Sequence, residues 1–375
     1  MKRLKLLTLI LICTIALTGC WDKIEIDERS FVLSLGVDKA PEETGSQDKF
    51  LLTFVNPDTA EAKEGKVLDF VTYDTVASSY NIGVSKLLQR FSKTHSYEHT
   101  KVLIFGEDLL TDENLMKDIL DAFSRGHQFN SSMLVYMTSG KAADIFKVKP
   151  KMKSLLAYYI TGIADNEKLA ARIGRLTFLD FTKQLADNHG DAVIPSLAPS
   201  TDGLTTEYLG IIKDFKHTGH LDEKETIAYK WLNGRAKGGV IEMNHGGYSS
   251  PFTYFTFKRR INLDKVEGGK IYLTYNLETE GSIEEYRLGS KLMDEQTLKQ
   301  LEKELESIIE RDSKDLIKKM QEEYTVDLLG VREYLYKYHT KLYKSIEKDF
   351  EEFFQRNVVI NVKAHAKIRR IGKTE

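Results

Sequence analysis

Residues 101–137 read KVLIFGEDLLTDENLMKDILDAFSRGHQFNSSMLVYM. Val102 to Phe105 is a short apolar run of strand length. Leu115, Met116, Ile119, Leu120 and Phe123 recur at helical spacing, and Met133 to Met137 is a second apolar run. The order gives a βαβ-like alternation, which sets the class of the surrounding chain. Upstream, Phe31, Leu33, Leu35 and Val37 alternate as a strand. A turn over Lys39 to Asp48, with Pro41 and Gly45, leads to a second strand at Phe50 to Val55. Asn56-Pro57 breaks it, Val67 to Thr75 reads as a third strand, and Tyr80, Val84, Leu87, Leu88 and Phe91 mark an amphipathic helix.

Downstream, Gly140 to Phe146 reads as a short helix stopped before Pro150. Helical patterns over Met152 to Ile173 and Thr177 to Ala186 have no visible sheet of their own. They are expected as a small subdomain split off near 148, or as a clamp between halves. Asn188 to Gly203, punctuated by Gly190, Pro195, Pro199 and Gly203, reads as a linker. Beyond it, Leu209 to Phe215 is expected to begin a new sheet, and Asp222 to Leu232 to form a helix ended by Asn233-Gly234. Val240 to Met243, Phe252 to Phe257, Lys270 to Leu277 and Ile283 to Arg287 read as strands, with Gly268-Gly269 as a hairpin turn. Leu298, Leu301, Leu305, Ile308, Leu316 and Met320 lie on one face of a helix of about 30 residues, ~45 Å long. A second long helix is expected from Leu329 to Gln355, then a closing strand from Val358 to Ile371. The fold class is α+β and multidomain, with mixed or antiparallel sheets, packed helices and long helices near the C-terminus. Domains are expected at 20–195 and 204–375, after a leader at 1–19.

That leader has its own logic. Lys2, Arg3 and Lys5 precede an apolar run from Leu6 to Leu17, and Leu17-Thr18-Gly19-Cys20 closes it with small residues before a cysteine. The run is shorter than the roughly 20 residues a membrane span needs. The ending resembles the lipobox of bacterial lipoproteins, so Cys20 is expected to carry a diacylglyceryl group at a new N-terminus. Two acyl chains convert transient contact into stable anchoring.

Composition narrows the chemistry. The 375 residues are 41% apolar and 29% charged, an ordinary globular balance. Removing Lys2, Arg3 and Lys5 from 54 basic residues, against 56 acidic ones, leaves the mature chain at −5. No basic excess suits nucleic acid. The cysteines are Cys13 and Cys20, so cleavage and lipidation leave no free thiol for a disulfide, a metal site or a nucleophile.

His95-Ser96-Tyr97-Glu98-His99 has the letters of the inverted zinc-protease signature. That chemistry places both histidines on one helical turn. Here the context reads as a loop entering the strand at Lys101, and the pair is expected to be hydrogen-bonded or exposed. His217 and His220, flanking Gly219, read as a solvated turn. The glycine pairs Gly238-Gly239, Gly246-Gly247 and Gly268-Gly269 lack phosphate-cradle spacing. Acid pairs such as Asp22 with Glu25, or Glu351 with Glu352, read as surface, as do the basic clusters Lys258-Arg259-Arg260 and Arg369-Arg370. Phe252, Tyr254, Phe255 and Phe257 make an aromatic strand that is either buried on two sides or offers a patch to a partner, with core the expected reading. No catalytic residue, cofactor site or metal site is expected.

Taken together, Cys20-Trp21-Asp22, Leu35-Gly36-Val37-Asp38-Lys39, His99 before Val102-Leu103-Ile104, and Gly140-Lys141-Ala142-Ala143-Asp144-Ile145 resemble the amino-terminal half of the Ger(x)C spore germination lipoproteins. The likeness continues through Gly210 to Lys216, Glu225-Thr226, Trp231-Leu232, Asp327 to Gly330 and Ile368-Arg369-Arg370-Ile371-Gly372. Tyr343 and Phe354 stand where relatives often carry tryptophan. The resemblance implies a non-enzymatic C subunit of a nutrient germinant receptor, on the outer face of the spore inner membrane beside integral-membrane A and B subunits. It implies several mixed α/β domains and transfers one functional residue, Cys20. A lipid-anchored solute-binding protein and an anchored hydrolase are the alternatives.

Overall fold

The computed structural model describes residues 28–371 apart from 45–46, 59–68, 127–128, 153–154, 167–174, 246 and 284–294. The expected leader at 1–19, Cys20, Asp22 and Glu25 lie outside the described residues. Along the first half run β1 (Arg29–Phe31), β2 (Ser34–Lys39), β3 (Phe50–Pro57), β4 (Phe70–Ala77), α1 (Tyr80–Leu88), β5 (Thr94–Ser96), β6 (Val102–Gly106), α2 (Glu107–Leu110), α3 (Glu113–Arg125), β7 (Leu134–Thr138), α4 (Ala142–Ile145), α5 (Leu156–Asp165) and α6 (Phe178–Asp187). The chain continues with β8 (Ala192–Ser200), β9 (Gly203–Lys213) and β10 (Lys216–Leu221).

Eight of these strands form one sheet in the order β10-β9-β8-β7-β6-β2-β3-β4. β2, β6, β7 and β8 are parallel neighbours, with an antiparallel pair at each edge. The βαβ unit of residues 101–137 is its centre. Every residue of β6 and β7 is buried, as strands covered on both faces must be. Leu103, Phe105 and Val135 pack with α1, α3 and α6 on one face, while Ile104, Leu134 and Tyr136 pack with α4 and α5 on the other.

Three expectations are corrected by this sheet. α5 and α6 are not a subdomain near 148, because they lie on its opposite faces. Residues 188–203 are not a linker, since β8 runs through them, paired with β7 and β9. Pro195 is tolerated in this strand because it sits at a register shift between Pro195 and Leu197, a position where a missing N–H does little harm. Leu209 to Phe215 accordingly starts no new sheet, because β9 extends the existing one. Val193, Leu209, Ile211 and Leu221 then enter the core of the second half, so the halves share buried surface.

The second half opens with α7 (Glu223–Asn233), flanked as its sequence dictates. Asp222 and Glu225 form a capping box, and Gly234 closes the helix at φ 73°. β11 (Gly239–Ile241), β12 (Asn244–His245) and β13 (Tyr248–Ser249) follow, then the long ribbon β14 (Phe252–Glu267) and β15 (Lys270–Ile283). Gly268 and Gly269 turn it at φ 59° and 75°, the two left-handed positions a tight hairpin needs. Phe252 and Tyr254 are buried, whereas Phe255 is exposed. Ile283 ends β15 rather than starting a strand, and 284–287 lie outside the described residues.

α8 (Glu295–Lys319) is the one long helix among the described residues, about 37 Å, and a π-type turn extends it to Tyr324. The second long helix is broken into α9 (Val331–Tyr338), α10 (Thr340–Ile346) and α11 (Phe350–Asn357). His339 at φ −135° and Ile346 at φ −123° leave helical geometry. Leu335, Tyr343, Phe350 and Phe354 still reach one core, so the apolar spacing survives the breaks.

β16 (Val358–Ile371) closes the sheet β11-β14-β15-β16, parallel to β15. Its outer edge is sealed by α8. Glu310 accepts from the Ala364 N–H, Glu306 from Ala366 and Glu302 from Ile368, each at 3.1 Å. Four helical residues rise about 6.0 Å and two strand residues about 6.6 Å, so one carboxylate per turn meets every second strand N–H.

Candidate functional site

The motif residues assemble into two buried stations and one seam. The first joins segments a hundred residues apart in sequence. Asp38 is next to last in β2 and is 2% exposed; its carboxylate accepts from Ala142 N–H at 2.6 Å and Ala143 N–H at 3.0 Å. Burial pushes its pKa up to about 6, against the pull of those two N–H groups. A Cβ at Gly106 would lie 2.0 Å from the Asp38 carboxylate, and one at Gly36 would meet the Phe146 ring at 2.7 Å. The glycines of this station are spaces that the carboxylate and a ring fill.

The second station is Asp327, 3% exposed. Its Oδ1 accepts from the N–H groups of Leu329, Gly330 and Val331 at 3.1, 3.1 and 3.2 Å, and its Oδ2 from Arg332 N–H at 2.6 Å. One carboxylate thus satisfies the donors opening α9, with Gly330 at φ 88° making the turn. Burial drives the Asp327 pKa upward and those N–H groups oppose it. The carbonyls of the same loop face α7 and the ribbon. Leu328 O accepts from Asn233, and Leu329 O accepts from Arg259 and the Tyr275 hydroxyl.

Between the halves lies a charged seam. Asp191, just before β8, is 1% exposed and accepts from Asp214 N–H at 3.0 Å. Its pKa rises to about 7, chiefly through burial, with Glu351 and Asp214 adding and Arg332 opposing. Arg332 lies 4.5 Å from the Phe350 ring centroid and 3.8 Å from Glu351. Beside the seam a cleft of about 630 Å³ opens between the end of α6, the end of α7 and α9. Lys183, Asp187, Tyr229, Arg235, Arg332 and Lys337 are among its walls.

The histidines fall elsewhere. His95 is on β5, paired with β1, and packs against the Phe91 ring at 4.9 Å. Burial lowers its pKa. A strand among aromatic rings is not the helical turn a zinc signature needs, and His99 is exposed beside Phe31. His217 is not in a solvated turn but on β10, nearly buried and 3.4 Å from Glu107. Burial lowers its pKa too, with Glu107 opposing. Among the described residues no group of three His, Cys, Asp or Glu is placed to hold a metal ion.

Cys20, the expected lipid site, lies outside the described residues. Sequence reasoning missed the seam. Asp191 fell within the supposed linker, and its distance along the chain from Arg332 and Glu351 leaves no local pattern to find.

Residues 22–199 match the family described as "Spore germination protein N-terminal domain", and residues 208–372 match "Spore germination B3/ GerAC like, C-terminal". Spore germination protein YndF of Bacillus subtilis (strain 168) is 25% identical over 384 residues, spanning 95% of this chain and 94% of that protein. Spore germination protein B3 of the same organism is 25% identical over 91% of each chain. Spore germination protein KC is 21% identical over 99% of this chain and 96% of its own. The crystal structure of the GerBC protein shares the fold, with a TM-score of 0.61 and 21% identity over 90% of this chain and 98% of that one.

Proposed function

Because this chain belongs to the Ger(x)C family of spore germination proteins, we propose that it is a lipid-anchored, non-enzymatic subunit of a nutrient germinant receptor. It acts by docking against integral-membrane A and B subunits on the outer face of the spore inner membrane. The observation that carries this reading is the pair of family matches running from residue 22 to residue 372, beginning just after Leu17-Thr18-Gly19-Cys20. Membrane association comes with the family, and no described helix is long and apolar enough to cross a membrane. A diacylglyceryl group on Cys20 supplies the attachment.

Mass spectrometry of the mature N-terminus is expected to find Cys20 as the first residue, its sulfur in thioether linkage to a glyceryl group that carries two ester-linked acyl chains. Spores with Cys20→Ala are expected to lose the protein from the inner-membrane fraction and to respond more slowly to the cognate nutrient. An unmodified thiol would end this reading. The second reading, solute binding, is favoured by the volume and polar walls of the cleft beside the seam. Saturable heat on titrating single nutrients into the purified chain would support it.

A further inference from the structure

The root of the tether is fixed on the fold, and that fixes which end of the body can meet a membrane. β1 pairs in parallel with β5, matching Arg29 to Thr94 and Phe31 to Ser96. Asn56 donates to the Ser30 hydroxyl at 2.8 Å, and Val32 N–H donates to Ser96 O. β1 then leads into β2 and β5 into β6, so both enter at the N-terminal end of the parallel strands. The loop before β7 lies at the same end, where Leu134 N–H donates to Lys101 O.

From Cys20 to Glu28 there are eight residue steps, about 28 Å at full extension. A chain of this size folds to a body of about 20 Å radius of gyration, or about 50 Å across. The tether reaches roughly half the body's width, so the far end of the sheet is out of its range. Chemistry at the near end agrees. The register sets Lys93 beside the root with Arg29, and the Lys101 ammonium lies 5.0 Å from the ring of Tyr158, which is 51% exposed. Cations and a half-exposed tyrosine suit the headgroup layer.

We propose that the N-terminal ends of β2, β6 and β7 form the membrane-facing surface, with Arg29, Lys93 and Lys101 against phosphate headgroups. The C-terminal ends, where Asp38 meets α4, point away from the bilayer. This rests on the lipid-anchor reading of Cys20.

With Cys13 leaving in the leader and the Cys20 sulfur held in a thioether to the lipid, a single introduced cysteine can be labelled alone. The lipidated chain is reconstituted on phosphatidylethanolamine and phosphatidylglycerol vesicles containing a headgroup-nitroxide lipid. A fluorophore is placed in turn at Ser92→Cys and Ser132→Cys, exposed at the near end, and at Glu43→Cys and Ser139→Cys, exposed at the far end. Quenching is expected to be several-fold greater at 92 and 132 than at 43 and 139. The pair Lys93→Glu with Lys101→Glu is expected to reduce quenching at 132. Equal or reversed quenching in vesicle-bound protein would overturn the orientation, and an unchanged signal in the charge-reversed protein would overturn the headgroup contact. Labelling of the chain that carries no introduced cysteine reports a free Cys20, and so tests the anchor separately.

Discussion

Replacing Asp327 by alanine tests whether a single carboxylate holds the junction between α8 and α9. Its four N–H partners lie within 3.2 Å, and those of Leu329, Val331 and Arg332 are buried. An unsatisfied buried donor costs about 1–3 kcal/mol, so three give a gross loss of roughly 3–9 kcal/mol. Part is offset, because the same substitution removes a carboxylate whose burial raises its pKa. The net expectation is about 3–5 kcal/mol, a large share of the roughly 5–15 kcal/mol typical of a folded domain. Asp327→Asn keeps one carbonyl oxygen on the Oδ1 side and should cost only about 1–2 kcal/mol. Urea unfolding of the full chain in detergent is followed by the fluorescence of Trp231, which is 1% exposed in the core of the second half. An alanine variant within about 1 kcal/mol of wild type, or an asparagine variant as damaged as the alanine one, would refute the reasoning.

The raised pKa values of Asp38 and Asp191 predict a pH dependence of definite sign. Their folded values, about 6 and about 7, lie above the ordinary 3.8, so the charged forms are penalised on folding. Their contribution is fully present below about pH 4 and is lost as pH rises through 6 to 7. Urea midpoints should show Asp191→Asn narrowing the stability gap between pH 5 and pH 8 by a few kcal/mol, at about 1.4 kcal/mol for each pH unit between the unfolded and folded titrations. Gly281→Ala places a Cβ 2.2 Å from Thr253 O and 2.8 Å from the Tyr254 Cα, both backbone. It should destabilise the ribbon by about 1–3 kcal/mol, seen as a lower Tm. Glu306→Ala frees the Ala366 N–H and should cost about 1–2 kcal/mol, while Glu306→Gln stays close to wild type in the same melt.

Much of the fold is legible in local pattern. The βαβ centre, the capped helix before Gly234, the Gly268-Gly269 hairpin and the closing strand each rest on periodicity or on a residue with one steric role. Local pattern fails where neighbours decide. Pro195 and Pro199 look like linker residues until β7 and β9 are beside them. The stretch from Leu329 to Gln355 keeps helical spacing through two breaks, because spacing records which side chains are buried and not whether the backbone between them is helical. The motif stations were visible as letters, but their meaning was not. Asp38 and Ala142 are coupled by a hydrogen bond that no window of sequence contains.

The sequence alone showed that Leu17-Thr18-Gly19-Cys20 resembles a lipobox, that the cysteines are Cys13 and Cys20, and that the fold is α+β with a βαβ centre. Local steric preference and hydrophobic spacing are carried residue by residue, so they survive without a structure. Only the tertiary structure decided that the two halves share a core, that Asp38, Asp191 and Asp327 are buried carboxylates, and that β1 enters at one end of the sheet. Burial, pKa and proximity are properties of what surrounds a residue, and distant segments supply those surroundings only once the chain has folded.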